Sequence, residues 1–88
     1  MNPIEDPERA ARLARAILSD VMMYNPEKVR LGIVHDDLFE RLDAEIREAR
    51  DYFAERVLPD VARKTGAFER ALVDVLVYRS RHVRSPIW

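Results

Sequence analysis

Residues 37–57 read DLFERLDAEIREARDYFAERV, and this stretch has the apolar spacing of a long amphipathic helix. Its apolar residues recur at steps of one, three or four and are Leu38, Phe39, Leu42, Ile46, Ala49, Phe53 and Val57. At about 100° per residue they fall on one side of a helix, while charged residues occupy the other side. A helix with one apolar face has to pack against something, so the stretch predicts an all-α fold.

Stop and start signals on either side of this helix divide the chain into further helices. Asp6-Pro7-Glu8 has the pattern of a helix start, with aspartate as N-cap and proline at the first position. Asn25-Pro26 ends that first helix and begins a short second one, from about Pro26 to Leu31, which Gly32 is expected to stop. Ile33 and Val34 then form a connector, and Asp36 or Asp37 caps the long third helix.

The second half of the chain predicts one short helix and one long one. A helical turn is expected from Pro59 to Lys64, Thr65-Gly66 is the next break, and the last helix runs from about Ala67 to Arg79. The predicted architecture is a compact bundle of three main helices plus one or two short helices. Residues 1–79 form a single domain, and residues 80–88 form an irregular basic C-terminal tail.

The first helix has an unusually wide apolar face. It is made of Ala10, Leu13, Ala14, Ile17, Leu18, Val21 and Tyr24. A face that approaches half of the helical wheel predicts that this helix is well buried in the bundle.

The last helix is apolar nearly all round, which sets it apart from the others. One face carries Phe68, Leu72, Val75 and Leu76, while Val73 and Val77 point the other way. Such a helix is buried on both sides, and a partner subunit is the simplest cover for the second side. The alternative is that this helix is the central one of the bundle. A buried strand is a weaker alternative, because a lone strand would have no pairing partner.

Length, charge and cysteine content restrict the classes of function. The chain has 88 residues and a net charge of −1, so no global basic field attracts nucleic acid or an anionic membrane. It has no cysteine, which excludes disulfides and thiolate metal sites within it. The acidic N-terminus does not have the pattern of a signal peptide, and no apolar run is long enough to span a membrane. We therefore expect a cytoplasmic protein with no membrane association.

No motif in the sequence points to catalysis, a cofactor or a metal ion. His35-Asp36-Asp37 resembles a pair of metal ligands, but a site needs three or more converging ligands and the only other histidine is His82. We interpret the two aspartates as helix caps and His35 as a loop residue. The carboxylates of the third helix are interpreted as a solvated face, with Asp43 and Arg47 at ion-pair spacing. The sequence therefore predicts a protein that is not an enzyme.

The C-terminal segment is the best candidate for a second kind of binding. Arg79, Arg81 and Arg84 occur there with His82 and without any acidic residue, and could contact phosphates. The alternative is that these arginines complement the dipole of the last helix and keep it soluble. Residues 85–88, Ser-Pro-Ile-Trp, either fold back onto the bundle or form a short docking peptide.

Three parts of the sequence together resemble a known kind of protein segment. They are Ile17-Leu18-Ser19-Asp20, Tyr24-Asn25-Pro26-Glu27-Lys28-Val29 and Ala71-Leu72-Val73-Asp74. The stretch from Leu13 to Val77 resembles a small all-helical segment of uncharacterised bacterial proteins, often found beside zinc-ribbon or repeat modules. The resemblance implies a bacterial origin but no activity and no functional residues. Since the chain has no cysteine, no zinc ribbon is expected within it.

These observations favour a non-enzymatic module for protein–protein interaction or oligomerisation. The expected partner is a second copy of the chain, as a homodimer, or another protein, and the predicted interface residues are Val73, Val77 and Met23. The alternative is a small nucleic-acid-associated protein that uses Arg79, Arg81 and Arg84. An enzyme ranks third, because it would need a cleft with shifted titratable groups that the sequence does not reveal.

Overall fold

The structure, a computed structural model, describes the backbone of residues 3–84 and the side chains of residues 3–77. It contains α1 (Pro7–Tyr24), α2 (Pro26–His35), α3 (Leu38–Arg41), α4 (Asp43–Arg56), α5 (Pro59–Thr65) and α6 (Ala67–Arg84). The predicted all-α fold is confirmed. Three helices are long, α1, α4 and α6, and α2, α3 and α5 are shorter.

The start of α1 follows the predicted capping pattern. The backbone N–H of Glu8 donates to Oδ1 of Asp6 at 3.0 Å, and Pro7 takes the first helical position. The aspartate satisfies one of the N–H groups that have no partner within the helix, and proline has no N–H to satisfy. At the other end, the side-chain amide of Asn25 donates back to the carbonyl oxygen of Val21 at 2.7 Å. It therefore closes α1 and makes no side-chain cap for α2.

The prediction that Gly32 stops the second helix is wrong, since α2 continues through it to His35. Ile33 and Val34 are therefore helical, and His35 is the last residue of α2. Asp36 takes the left-handed conformation with φ 57°, and the N–H of Asp37 donates to the carbonyl of Gly32 at 2.9 Å. This is the geometry of a Schellman end, so Asp36 closes α2 and does not cap the next helix.

The long third helix is interrupted, which the apolar spacing did not predict. Leu42 has φ −98° and ψ 13° and separates α3 from α4. Its side chain is fully buried, while the carboxylate of Asp37 accepts a hydrogen bond from Nε of Arg41 at 2.6 Å. The prediction of one uninterrupted helix over residues 37–57 is therefore wrong. The bend at Leu42 turns the short α3 toward α2, against which it packs.

Contacts at the two ends of α4 show its direction relative to α1. Ile4, just before α1, accepts a hydrogen bond from Leu58 at 3.1 Å and donates one to Arg56 at 2.8 Å. At the opposite end, Nζ of Lys28, just after α1, lies 2.5 Å from Oε2 of Glu45 near the start of α4. The start of α1 therefore lies beside the end of α4, so the two helices run antiparallel.

The hydrophobic core is built around α1. This helix packs against α6, α4, α5 and α2, and most extensively against α6. Small residues on the two long helices, Ala10 and Ala14 on α1 and Ala67 and Ala71 on α6, are buried and allow close approach. The rings of Phe53 and Phe68 lie 5.6 Å apart between α4 and α6. The interpretation of the last helix as the central one is therefore wrong, because α1 has that position.

The C-terminal half confirms the predicted breaks and extends the last helix. Gly66 has φ 58° and separates α5 from α6, as the Thr65-Gly66 pattern predicts. The backbone then stays helical through Arg84, so the prediction of an irregular tail is wrong for residues 80–84. Residues 85–88 of the predicted tail lie outside the described residues. In the part of the chain that the structure describes, no helix has the length and apolar character needed to cross a bilayer.

Candidate interaction surfaces

The three predicted interface residues are all exposed. Val73 and Val77 are 54% and 38% exposed on α6, and Met23 is 59% exposed near the end of α1. Val73 lines a shallow depression on α6 together with Glu69, Arg70 and Asp74. Met23 is not among the residues that line this depression. The structure therefore places the two valines on one exposed strip of α6.

The charged residues beside this strip are held by the neighbouring helices. Nη1 of Arg50, on α4, lies 2.8 Å from Oε2 of Glu69. Nη2 of Arg15, on α1, lies 3.2 Å from Oδ2 of Asp74. These exposed ion pairs contribute little to stability, but they compensate the carboxylates that flank Val73. The strip is therefore an apolar surface whose adjacent acidic groups are already paired.

A second surface, which sequence reasoning missed, is the groove between α1 and α4. It has a volume of about 480 Å³ and is lined by Leu13, Ala16, Ile17, Asp20, Val21, Tyr24, Asn25, Glu45, Glu48, Ala49 and Tyr52. Its floor is apolar and its edges carry three carboxylates and two tyrosines. The groove can hold an apolar segment and can attract cations along its edges.

Tyr24 shows why the groove was missed. The sequence places it on the apolar face of α1, but it is 77% exposed at the edge of the groove, so that prediction is wrong. The groove residues of each helix recur at steps of three or four, which is a usable signal for a shared stripe. The sequence does not show that α1 and α4 are neighbours, so it could not predict that their two stripes of residues line one groove.

The carboxylate of Glu45, in the groove, is held by Lys28 of α2. Its Oε2 accepts a hydrogen bond from Nζ of Lys28 at 2.5 Å, whereas its Oε1 is buried without a hydrogen-bond partner among the described residues. The hydrogen bond from Lys28 holds the pKa of the Glu45 carboxyl below its ordinary value, against the opposing effect of burial. Glu45 therefore stays charged in the groove at neutral pH.

Replacing Lys28 by alanine is expected to raise the pKa of Glu45, because it removes the largest of the causes that lower it and leaves a backbone hydrogen bond alone to oppose burial. In the wild-type protein the depressed pKa stabilises the fold above the ordinary value of 4.5, and this contribution is lost as the pH falls through the folded-state pKa. The variant should therefore lose more stability at pH 7 than at pH 3. NMR titration of the Glu45 carboxyl carbon, with Lys64→Ala as control, checks the shift; an unchanged pKa would contradict it.

The structure does not bring the other predicted site residues together. Asp43 and Arg47 form the expected ion pair, with 3.2 Å between Oδ2 and Nε. His35 and Asp36 are exposed, and no group of three or more potential metal ligands occurs in the described part of the chain. The side chains of Arg79, Arg81, His82 and Arg84 lie outside the described residues, so nucleic-acid binding through these arginines stays a prediction.

No family model matches this chain, and it has no significant match among curated proteins or solved structures. The resemblance to a helical segment of bacterial proteins therefore stays a prediction from the sequence.

Proposed function

We propose that this protein is a non-enzymatic interaction module that forms a homodimer through the exposed strip of α6. The observation that carries the proposal is the exposure of Val73 and Val77, at 54% and 38%, on a helix whose other side forms the core with α1. The same valines in a second copy would be the simplest cover, since a two-fold interface uses the same surface of both subunits.

The expected affinity is modest because the apolar contribution is small. Burying a valine side chain contributes about 1.5 kcal/mol, and the two valines are only partly exposed before association. Four valines in a dimer could therefore offset only part of the entropy lost on association. A micromolar dissociation constant corresponds to about 8 kcal/mol, so the proposal requires that the side chains flanking the two valines on α6 also lie in the interface. With these groups included, we expect a dimer that forms and dissociates in the micromolar range.

The double variant Val73→Asp, Val77→Asp is expected to be monomeric, because it would place four carboxylates in the interface of a dimer. Light scattering across a dilution series measures the mass, and circular dichroism shows whether the helices are retained. The matched control is Val34→Asp, which changes an exposed valine on α2. A third variant, Met23→Asp, tests whether α1 also takes part.

Two results would contradict the proposal. The first is a wild-type protein that remains monomeric at high micromolar concentration. The second is a dimer that persists in the folded double variant, which would place the self-association surface elsewhere on the molecule.

A further inference from the structure

We propose that the groove between α1 and α4 binds the arginine-rich C-terminal segment, residues 78–88, of a second copy of this chain. This surface is different from the strip of α6 that carries Val73 and Val77. The proposal therefore does not depend on pairing through that strip.

The groove combines an apolar floor with carboxylates that have no ion-pair partner. Asp20 on α1 and Glu48 on α4 line the groove, and neither forms an ion pair within the described residues. Exposed carboxylates outside the groove, such as Glu40 and Asp51, also form no ion pair within the described residues, so the distinguishing feature of Asp20 and Glu48 is their position beside an apolar floor. Unpaired carboxylates beside an apolar floor attract a ligand that carries both apolar groups and cations.

Aromatic rings at the groove edges add to this preference for a guanidinium. The ammonium group of lysine and the guanidinium group of arginine are attracted to the faces of tyrosine rings. The guanidinium of Arg56 already lies 3.4 Å from the centre of the Tyr52 ring. Tyr24, on the other edge, is exposed and can accept an arginine of a bound segment in the same way.

The C-terminal segment has the complementary composition. Residues 78–88 read YRSRHVRSPIW, with three arginines, one histidine and no acidic residue. Val83, Ile87 and Trp88 provide apolar groups for the floor of the groove, and the arginines provide cations for its edges. Arginine is suited to this because its planar guanidinium can pair with a carboxylate through two hydrogen bonds.

The position of α6 indicates that the segment comes from another copy. Arg15 of α1 pairs with Asp74 of α6, and at about 100° per residue it points about 160° away from Leu13 and Ile17 in the groove. Therefore α6 packs on the side of α1 opposite the groove, and its backbone is helical through Arg84. The arginines of the same chain belong to a helix that lies across α1 from the groove.

The test measures binding of a fluorescein-labelled peptide of residues 78–88 to the full-length protein by fluorescence anisotropy. The receptor carries Val73→Gln and Val77→Gln, which removes pairing through α6 without adding charge. We expect a dissociation constant in the micromolar range. Adding Asp20→Asn and Glu48→Gln to the receptor should weaken binding about tenfold, and raised salt should weaken it further. The matched control, Asp51→Asn with Glu40→Gln, removes the same charge outside the groove and should leave binding within about twofold.

Three results would overturn the proposal. They are no binding up to millimolar receptor, equal weakening in the groove and control variants, and binding only after the receptor's own arginines are changed by Arg79→Ser, Arg81→Ser and Arg84→Ser. The last result would mean that the segment occupies the groove of its own chain. Because the receptor does not use Val73 or Val77, failure here is separate from failure of the α6 dimer.

Discussion

Replacing Leu42 by alanine is expected to lower the free energy of unfolding by about 3–4 kcal/mol. The side chain is 0% exposed at the junction of α3 and α4, where it joins the core of the bundle. Removing it loses the transfer free energy of the buried groups and leaves a cavity that the surrounding helices fill only in part. For a domain of this size the melting temperature should fall on the order of 20 °C. Urea unfolding at a fixed protein concentration measures the change.

The control for this prediction is Phe39→Ala, three residues earlier. Phe39 is the larger side chain but is 46% exposed, so its replacement should cost less than about half as much as that of Leu42. If Phe39→Ala destabilised the protein more than Leu42→Ala, the bend between α3 and α4 would be placed wrongly. Both changes leave the backbone hydrogen bonds intact, so the comparison reports side-chain burial.

The same two residues show how far the sequence predicts this fold. Apolar spacing placed Leu42 and Phe39 on one apolar face of a single helix. This predicted the helical class, the region and the burial of Leu42, but it is wrong for Phe39, which is exposed. It did not predict the bend at Leu42, which accompanies the packing of α3 against α2 and has no capping or breaking residue in the sequence to mark it. Local capping signals gave the start of α1 at Asp6 and the break at Gly66, because both depend on residues adjacent in sequence.

The two candidate surfaces also differ in how far the sequence predicts them. Val73 and Val77 are exposed among the described residues, and their cover by a partner stays a prediction. Their place on one strip follows from a spacing of four within one helix, which the sequence contains. The groove depends on which helices become neighbours and on their antiparallel direction, and both are set by contacts between residues distant in sequence, such as Lys28 with Glu45.

Replacing Gly32 is expected to destabilise the protein even though the position lies inside a helix. A Cβ at this position would lie 2.7 Å from Cα of Leu38 and 2.8 Å from its Cδ1. In an uncrowded helix interior, alanine is more favourable than glycine by about 1 kcal/mol. Overpacking against the backbone of α3 should exceed this gain, so we expect a loss of about 1–2 kcal/mol for Gly32→Ala and about 3 kcal/mol for Gly32→Val. Urea unfolding measures both.

The sign of the change in unfolding free energy for Gly32→Ala shows which effect is larger, the gain in helix propensity or the overpacking against Leu38. The control is Gly66→Ala, where a Cβ meets nothing within 4 Å but φ is +58°. There the cost of alanine should come from the left-handed backbone alone, about 1 kcal/mol, because the space is open. At Gly32 the cost should rise steeply from alanine to valine. A stabilising Gly32→Ala change would mean that α3 is not packed against α2 at this point, and that the turn at Asp36 does not return the chain as the structure shows.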